Sequence, residues 1–217
     1  MTIVAILLLA GWAFHARILR GIAWGLIVDD RRALAPAVLL LDGDRLFDSA
    51  ARLYSAGART MLVYRSRPDR LVRMGIVPRG DEMARRELLK RGVSNQDLVI
   101  LAGESASRSR IAAALGAWLA EHPDQTVNVL CDRFTSRTWK MVLGRAAGPA
   151  LAEKICIVPL PNRRFDETNW WRSKLGTLAF LNNYISLGFH WCRSGDEADM
   201  VERTAADFRA AFAGDTE

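Results

Sequence analysis

The sequence predicts an α/β fold in which a mostly parallel sheet of about five strands is covered by helices on both faces. Three observations lead to this prediction. Short apolar runs recur along the chain, segments of helical periodicity alternate with them, and glycines follow several of the helical segments. The chain has 217 residues, of which 50% are hydrophobic, so it can bury the core of one such domain.

The predicted strands are short runs without charged residues inside them. Val38, Leu39 and Leu40 are typical, because their apolar side chains point to both faces of a strand. Strands of a parallel sheet that is covered on both faces have this composition. In chain order the predicted strands are residues 37–41, 60–64, 97–101, 126–131 and 154–158.

The predicted helices carry apolar residues three or four positions apart. Phe47, Ala50 and Leu53 form such a stripe, and Gly57 follows it as a typical helix terminator. Gly92 follows the next helical segment in the same way. In chain order the predicted helices are residues 46–56, 81–91, 105–121 and 136–147, and residues 65–79 are predicted to be a polar loop.

Residues 1–30 are predicted to be a hydrophobic membrane-anchor segment. An unbroken apolar run covers residues 3–14, and a second apolar patch covers residues 21–28, with Arg17 and Arg20 between them. A spanning helix needs about 20 apolar residues, and arginines near its end can reach the membrane interface. We therefore expect a single-pass protein of the inner membrane. The positive-inside rule favours a cytoplasmic main domain but leaves its side open, and a buried N-terminal core helix is the alternative.

Residues 36–192 are predicted to form a Rossmann-like domain, and residues 193–217 a polar C-terminal helix or tail. The segment from 165 to 191 is rich in aromatic and apolar residues, among them Trp170 and Trp171. A helix that packs over the sheet is favoured as the explanation. A helix that lies at a membrane interface remains the alternative.

Composition and missing motifs exclude several classes of function. The formal charge of +6 comes mostly from arginine and suits an anionic lipid or small ligand. No basic run with interleaved aromatic residues occurs, so we expect no nucleic-acid partner. The cysteines (Cys131, Cys156 and Cys192) and the histidines lack disulfide-framework and metal-ligand spacing. Nucleotide-binding glycine loops and a nucleophile elbow are also missing, so no metal, cofactor or acyl-transfer triad is predicted.

Polar residues follow the predicted strands where each strand ends, and open parallel sheets bind ligands at that edge. The predicted ligand-binding residues there are Asp42, Gly43, Arg45, Glu104, Ser107, Arg133, Thr135 and Arg137. After the fourth strand, guanidinium groups adjoin a helix N-terminus, which suits a phosphate or a carboxylate. Taken singly, residues such as Asp42 or Ser105 can also act as helix caps.

The order of these motifs resembles the ElyC/SanA/YdcF family, bacterial membrane-anchored envelope proteins of poorly defined biochemistry. Arg133-Phe-Thr-Ser-Arg137 is similar to the R-F-H-x-R turn of that family, and Glu104 with Ser107 fits its E-x-x-S motif. The segment from Trp170 to Tyr184 resembles the WWR…NEY ending of one subgroup. The departures from the family pattern are Thr135 in place of His, Asn183 in place of Glu, Ser186 in place of Lys and the lack of the family's Asn near Ala113.

The resemblance implies a Rossmann-like domain with a membrane anchor that works in envelope, peptidoglycan or lipid-carrier metabolism. The expected function is binding of a phosphorylated or otherwise anionic ligand, with phosphate-ester chemistry as its enzymatic form. A hydroxyl does not titrate near neutral pH, so Thr135 cannot replace a histidine acid or base. The alternatives are a catalytically inactive scaffold or regulator of the envelope and a protein that binds a nucleotide-type ligand.

Overall fold

The protein is described by a computed structural model over residues 14–30, 34–41, 46–68, 70–105 and 107–192. Its strands are β1 (Ala37–Leu40), β2 (Thr60–Ser66), β3 (Leu98–Ser105), β4 (Val127–Asp132) and β5 (Ile155–Leu160). All neighbouring strands are parallel, and their order is β3-β2-β1-β4-β5. The predicted five-stranded α/β architecture is thus confirmed for the described part of the chain.

Helices connect the strands. One of them was not predicted from the sequence, and another is longer than predicted. The helices are α1 (residues 14–24), α2 (Phe47–Ser55), α3 (Arg70–Arg73), α4 (Gly80–Lys90), α5 (Arg108–Glu121), α6 (Ser136–Ala152) and α7 (Lys174–Cys192). The short helix α3 lies inside the predicted loop 65–79. Helix α6 runs past its predicted end through a kink at Gly148, where φ is 74°.

The core has two layers, one on each face of the sheet. Leu39 and Val129 point to the face covered by α5 and α6. Val38 and Leu40 point to the opposite face, which α2 and α4 cover. Successive side chains of a strand alternate between faces, so the apolar runs in the sequence were needed to fill both layers. The predicted helices on both faces are therefore present.

Strand β3 is longer than predicted because it contains a bulge. Tyr64 pairs with Leu101, but Arg65 pairs with Glu104, so the register shifts between these two pairs. Gly103 has a φ of +83°, a conformation that a residue with a Cβ rarely adopts. Gly103 therefore provides the bulge within the strand, and the shifted register brings Glu104 beside Arg65.

A third apolar cluster joins the N-terminal segment to the C-terminal helix. Its buried members are Ala23, Leu26, Ile27, Phe134, Phe165, Trp170 and Phe180. The indole N–H of Trp170 donates to the Leu19 carbonyl at 3.3 Å, and the Tyr184 hydroxyl donates to the Ile22 carbonyl. Helix α7 therefore packs on α1, on α6 and on the chain that follows β4.

The membrane prediction concerns mainly residues that the structure does not describe. Residues 1–13, which begin the predicted anchor 1–30, and the predicted polar helix or tail 193–217 lie outside the described residues. Within the described ranges, no helix is both long enough and apolar enough to cross a membrane.

Ion pairs around Arg91 join α2 to α4. The Arg91 Nε atom donates to Asp48 Oδ1 at 2.7 Å, and Nη1 lies 2.5 Å from Glu87 Oε2. The hydrogen bond from Arg91 holds the pKa of Asp48 below its usual value of 3.8. The bonds from Lys90 and then Arg91 hold the pKa of Glu87 below 4.5. A carboxyl with a lowered pKa stabilises the fold above its unfolded pKa, and this contribution is lost as the pH falls through the folded pKa.

We expect the Arg91→Gln variant to lose less stability in acid than the parent protein, because two carboxyl pKa values return toward their unfolded values. The free energy of unfolding, measured by urea titration between about pH 3 and pH 7, should fall less steeply toward low pH in the variant than in the parent protein. Arg85→Gln is the matched control, because Arg85 bonds to the Asn95 side chain rather than to a carboxylate. The prediction is contradicted if the free energy of unfolding decreases equally with falling pH in the parent protein and in Arg91→Gln.

Candidate functional site

The strand order places a topological switch point in the middle of the sheet. The order reverses between β1 and β4, which lie side by side. Strand β1 leads to α2 on one face, whereas β4 leads to α6 on the other face. The segments that follow β1 and β4 therefore leave the sheet toward opposite faces. Open parallel sheets bind their ligands at the carboxyl ends of the strands where this happens. We call this place the β1–β4 crevice.

On the β1 side of the crevice, the structure describes the chain as far as Leu41. The N–H of Leu41 donates to the Leu130 carbonyl at 3.1 Å. Asp42, Gly43 and Arg45, three of the predicted ligand-binding residues, follow Leu41 directly and lie outside the described residues. Their part in a binding site therefore stays a prediction.

On the β4 side, residues 132–137 form a turn that we call the β4 turn. Its own side chains hold it together. Asp132 Oδ1 accepts the N–H of Phe134 at 3.0 Å, and the Thr135 hydroxyl donates to the Asp132 carbonyl at 2.8 Å. The Ser136 hydroxyl donates to the Arg133 carbonyl at 2.7 Å. The hydroxyl of Thr135 thus shapes the turn.

Arg133 is the cation of the β4 turn that lies deepest in the protein. Its Nη2 atom is 2.9 Å from Glu167 Oε1, and its guanidinium lies 5.5 Å from the ring centroid of Trp24. Arg133 Nε and Glu167 Oε2 are both buried, and neither has a hydrogen-bond partner among the described residues. The ion pair therefore leaves one donor of the arginine and one acceptor of the glutamate unsatisfied in the described part of the chain.

Residues 26–28 form hydrogen bonds with the start of α6, where the sequence predicted a site for an anion. The N–H of Arg137, in the first turn of α6, donates to the Leu26 carbonyl at 3.1 Å. The Arg137 guanidinium donates to the Ile27 carbonyl at 3.2 Å, and the Ser136 hydroxyl accepts the N–H of Val28 at 2.9 Å. The N-terminal segment thus satisfies part of the α6 N-terminus, and Arg133 is the stronger candidate for a ligand contact.

Four charged side chains form a second group at the ends of β2 and β3. Asp81, of which 4% is exposed, lies 3.4 Å from Arg65 and 3.3 Å from Arg79. Arg79 also donates to Glu104 Oε1 at 3.0 Å, and this hydrogen bond raises the pKa of Arg79. Glu104, predicted to orient a ligand, is thus paired with a cation of its own chain.

Ser107 caps helix α5. Its hydroxyl accepts the N–H of Arg110 at 3.3 Å, and its side chain is buried. Arg108 beside it donates to the Ser186 hydroxyl at 2.5 Å and lies 5.5 Å from the Trp139 ring centroid. The residues after β3 therefore stabilise the start of α5 and its contacts with α6 and α7.

The predicted site residues that the structure describes lie in two places, one at the β4 turn and one at the end of β3 and the start of α5. Glu104 lies on β3 and Asp132 on β4, with β2 and β1 between them. Three strand spacings of about 4.8 Å separate these positions by about 14 Å. One phosphate group cannot contact both, whereas an elongated ligand can extend from one group to the other. The β4 group lies at the crevice, so it is the better candidate for the principal contact.

Comparison of the chain with protein-family models, curated proteins and solved structures found no match. Its function is therefore inferred from its own residues and their geometry. Within the described residues, no cluster of three or more histidine, cysteine or acidic side chains could hold a metal ion. The polar chemistry of the described part of the crevice is that of guanidinium, carboxylate and hydroxyl groups.

Sequence reasoning missed Trp24 and Glu167 as neighbours of Arg133. Trp24 belonged to the predicted anchor, and Glu167 lay in a loop without periodicity. It also missed Arg79 and Asp81, which it assigned to a polar loop and a charged helix. The only available signal was weak: a buried arginine needs an acidic partner, but one sequence does not show which carboxylate supplies it.

Proposed function

We propose that the protein binds a phosphorylated ligand in the β1–β4 crevice, with Arg133 as the principal cation, and that it acts in bacterial cell-envelope metabolism at a membrane. The observation that carries this proposal is the reversal of strand order beside an arginine with an unsatisfied buried donor. A guanidinium presents several donors in one plane, which suits the oxygens of a phosphate group. The sequence Asp42-Gly-Asp-Arg45 follows β1, on the other side of the crevice, and supplies further polar groups.

The envelope role is supported by the order of sequence motifs and by the apolar run of residues 3–14. The resemblance to the ElyC/SanA/YdcF family links these features to peptidoglycan or lipid-carrier metabolism. A lipid-linked phosphate combines an anionic head with an apolar chain, so it fits both a cationic crevice and a membrane location. Phosphate-ester chemistry is the enzymatic form of this proposal, with no catalytic residue assigned, since Thr135 stands where the resemblance implies histidine.

Arg133→Gln should weaken binding of pyrophosphate and farnesyl phosphate to the full chain about ten- to hundredfold. The reason is that a charge-assisted hydrogen bond contributes about 1.5–3 kcal/mol. Titration calorimetry measures this change. Arg59→Gln is the matched control, because Arg59 is exposed and precedes β2 at the opposite edge of the sheet. The proposal fails if the parent protein binds neither compound, or if both variants bind equally well.

Glu167→Gln tests whether Arg133 acts on the ligand directly. The glutamate competes with the ligand for the guanidinium, so its neutral isostere should strengthen phosphate binding. A gain of about 1 kcal/mol in the free energy of binding corresponds to about fivefold in affinity. Glu153→Gln, an exposed substitution at the end of α6, should leave the affinity unchanged. Weaker binding by Glu167→Gln would indicate that the pair only supports the fold.

A catalytically inactive scaffold or regulator is the second candidate function. The contacts of the β4 turn with residues 26–28 favour it, because Arg137 and Ser136 bind their own chain there. In that case Arg133→Gln lowers thermal stability, and the parent protein binds no phosphate compound. Tighter binding of a nucleoside diphosphate than of pyrophosphate selects the nucleotide-type alternative instead.

A further inference from the structure

The outward face of α7 is apolar. Leu175, Leu178, Leu181 and Ile185 recur every three or four residues, which places them on one side of the helix. All four are exposed, and Ile185 is 69% exposed. The opposite side of α7 carries Phe180, which is buried in the third cluster. A helix on the surface of a soluble domain normally turns polar residues outward, so this face requires an explanation.

Helix α1 shows the same pattern beside α7. Phe14, Ile18 and Ile22 recur every four residues and are exposed, Phe14 by 49%. The two helices are neighbours, because the Tyr184 hydroxyl donates to the Ile22 carbonyl. Two exposed apolar stripes therefore lie on adjacent helices, and stripes of this kind commonly mark interaction surfaces.

The charged residues within α1 and within the segment 172–192 are all positive. Residues 14–28 and 172–192 contain no aspartate or glutamate, whereas Arg17, Arg20, Arg172 and Lys174 lie among them. Apolar side chains bordered by cations match the surface of an anionic bilayer, in which acyl chains lie beneath negative head groups. A protein partner with this chemistry would need an equally apolar and acidic face. The bilayer is the simpler match, because the apolar run of residues 3–14 leads directly into α1.

We propose that the outward faces of α7 and α1 form a docking surface for an anionic phospholipid bilayer and lie in its interface. This inference deepens the proposed function and rests on its membrane location. Phe180 of α7 lies 6.3 Å, between ring centroids, from Phe134 of the β4 turn. The docking surface therefore holds the β4 side of the crevice near the head groups, within reach of a lipid-linked phosphate.

The test places an indole on the proposed surface of the full chain. Ile185→Trp and the control Leu89→Trp are each bound to vesicles of phosphatidylcholine and phosphatidylglycerol with brominated acyl chains, which quench indole fluorescence. Leu89 is exposed on α4, on the opposite face of the sheet. We expect the fluorescence added by Ile185→Trp to be lost and that added by Leu89→Trp to persist. Adding Lys174→Gln to Ile185→Trp should reduce the quenching in anionic vesicles.

Several outcomes overturn the inference. The indole introduced at position 185 can stay unquenched while the protein is bound to the vesicles, which shows that residues 1–13 alone attach it. It can also be shielded from aqueous acrylamide before vesicles are added, which shows that residues 193–217 or a second copy covers the face. Pyrophosphate titration of the same variants distinguishes a failure of this inference from a failure of the proposed function. Intact phosphate binding with an unquenched indole rejects the docking surface alone.

Discussion

Phe134→Ala is expected to lower the free energy of unfolding by about 3–5 kcal/mol, as truncation of a buried phenylalanine usually does. Phe134 is 2% exposed and lies between Phe165 and Phe180, with ring centroids 5.8 Å and 6.3 Å away. Its removal leaves a cavity in the cluster that joins the N-terminal segment, the β4 turn and α7. Phosphate binding should weaken as well, because Arg133 precedes Phe134 in the same turn.

Phe14→Ala makes the same chemical change at an exposed position of α1, so it should change the stability little. Chemical denaturation of the two variants, monitored by circular dichroism, gives the comparison. A loss of less than about 1 kcal/mol in Phe134→Ala would show that the third cluster contributes little to the cooperative unit.

Gly176→Ala should destabilise the protein by about 3 kcal/mol, at the upper end of the usual range for overpacking. A Cβ at position 176 would lie 2.3 Å from the Trp170 carbonyl oxygen and 2.9 Å from the Trp170 Cα. These are backbone atoms, so α7 itself has to move away from the turn that precedes it. The displacement also disturbs the stacked rings of Trp170 and Phe180, whose centroids are 3.6 Å apart.

Gly188→Ala is the matched control in the same helix, and we expect a change of opposite sign. Among the described residues, no atom outside its chain neighbours and the backbone of its own helix lies within 4 Å of a Cβ at position 188. Alanine in a helix interior is more stable than glycine by about 0.5–1 kcal/mol, because its unfolded chain has less freedom to lose. Thermal unfolding of both variants tests the pair. The packing described for α7 is refuted if Gly176→Ala is as stable as Gly188→Ala.

The sequence was sufficient to predict the strands and most helices because their signals are local. Apolar runs such as Ala37–Leu40 and stripes such as the one from Phe47 to Leu53 depend only on neighbouring residues. The bulge at Gly103 was harder to predict. A glycine is compatible with a turn as well as with a bulge, and the resumed pairing of Arg65 with Glu104 depends on a neighbouring strand. Strand order is likewise a property of distant contacts.

The candidate site was predictable only in part. The polar residues at strand ends led to Arg133 and Glu104 as members of one ligand-binding edge, and their binding of a ligand stays a prediction. The strand order separates them, and each has a partner in its own chain: Glu167 for Arg133 and Arg79 for Glu104. Pairing between residues far apart in the chain leaves no periodic pattern, so these partners required the structure.

The hydrogen bond between the Trp170 indole and the Leu19 carbonyl has a consequence for biosynthesis. Its two residues are 151 positions apart. At about 5–20 residues per second, the ribosome needs about 8–30 s to make the second after the first. During that interval the apolar start of the chain has emerged, but its partners in the third cluster, Phe134, Phe165, Trp170 and Phe180, are not yet all made. The third cluster can therefore close only after the N-terminal segment has been exposed on the nascent chain, and a membrane contact of the kind proposed above would form before that segment packs against the domain.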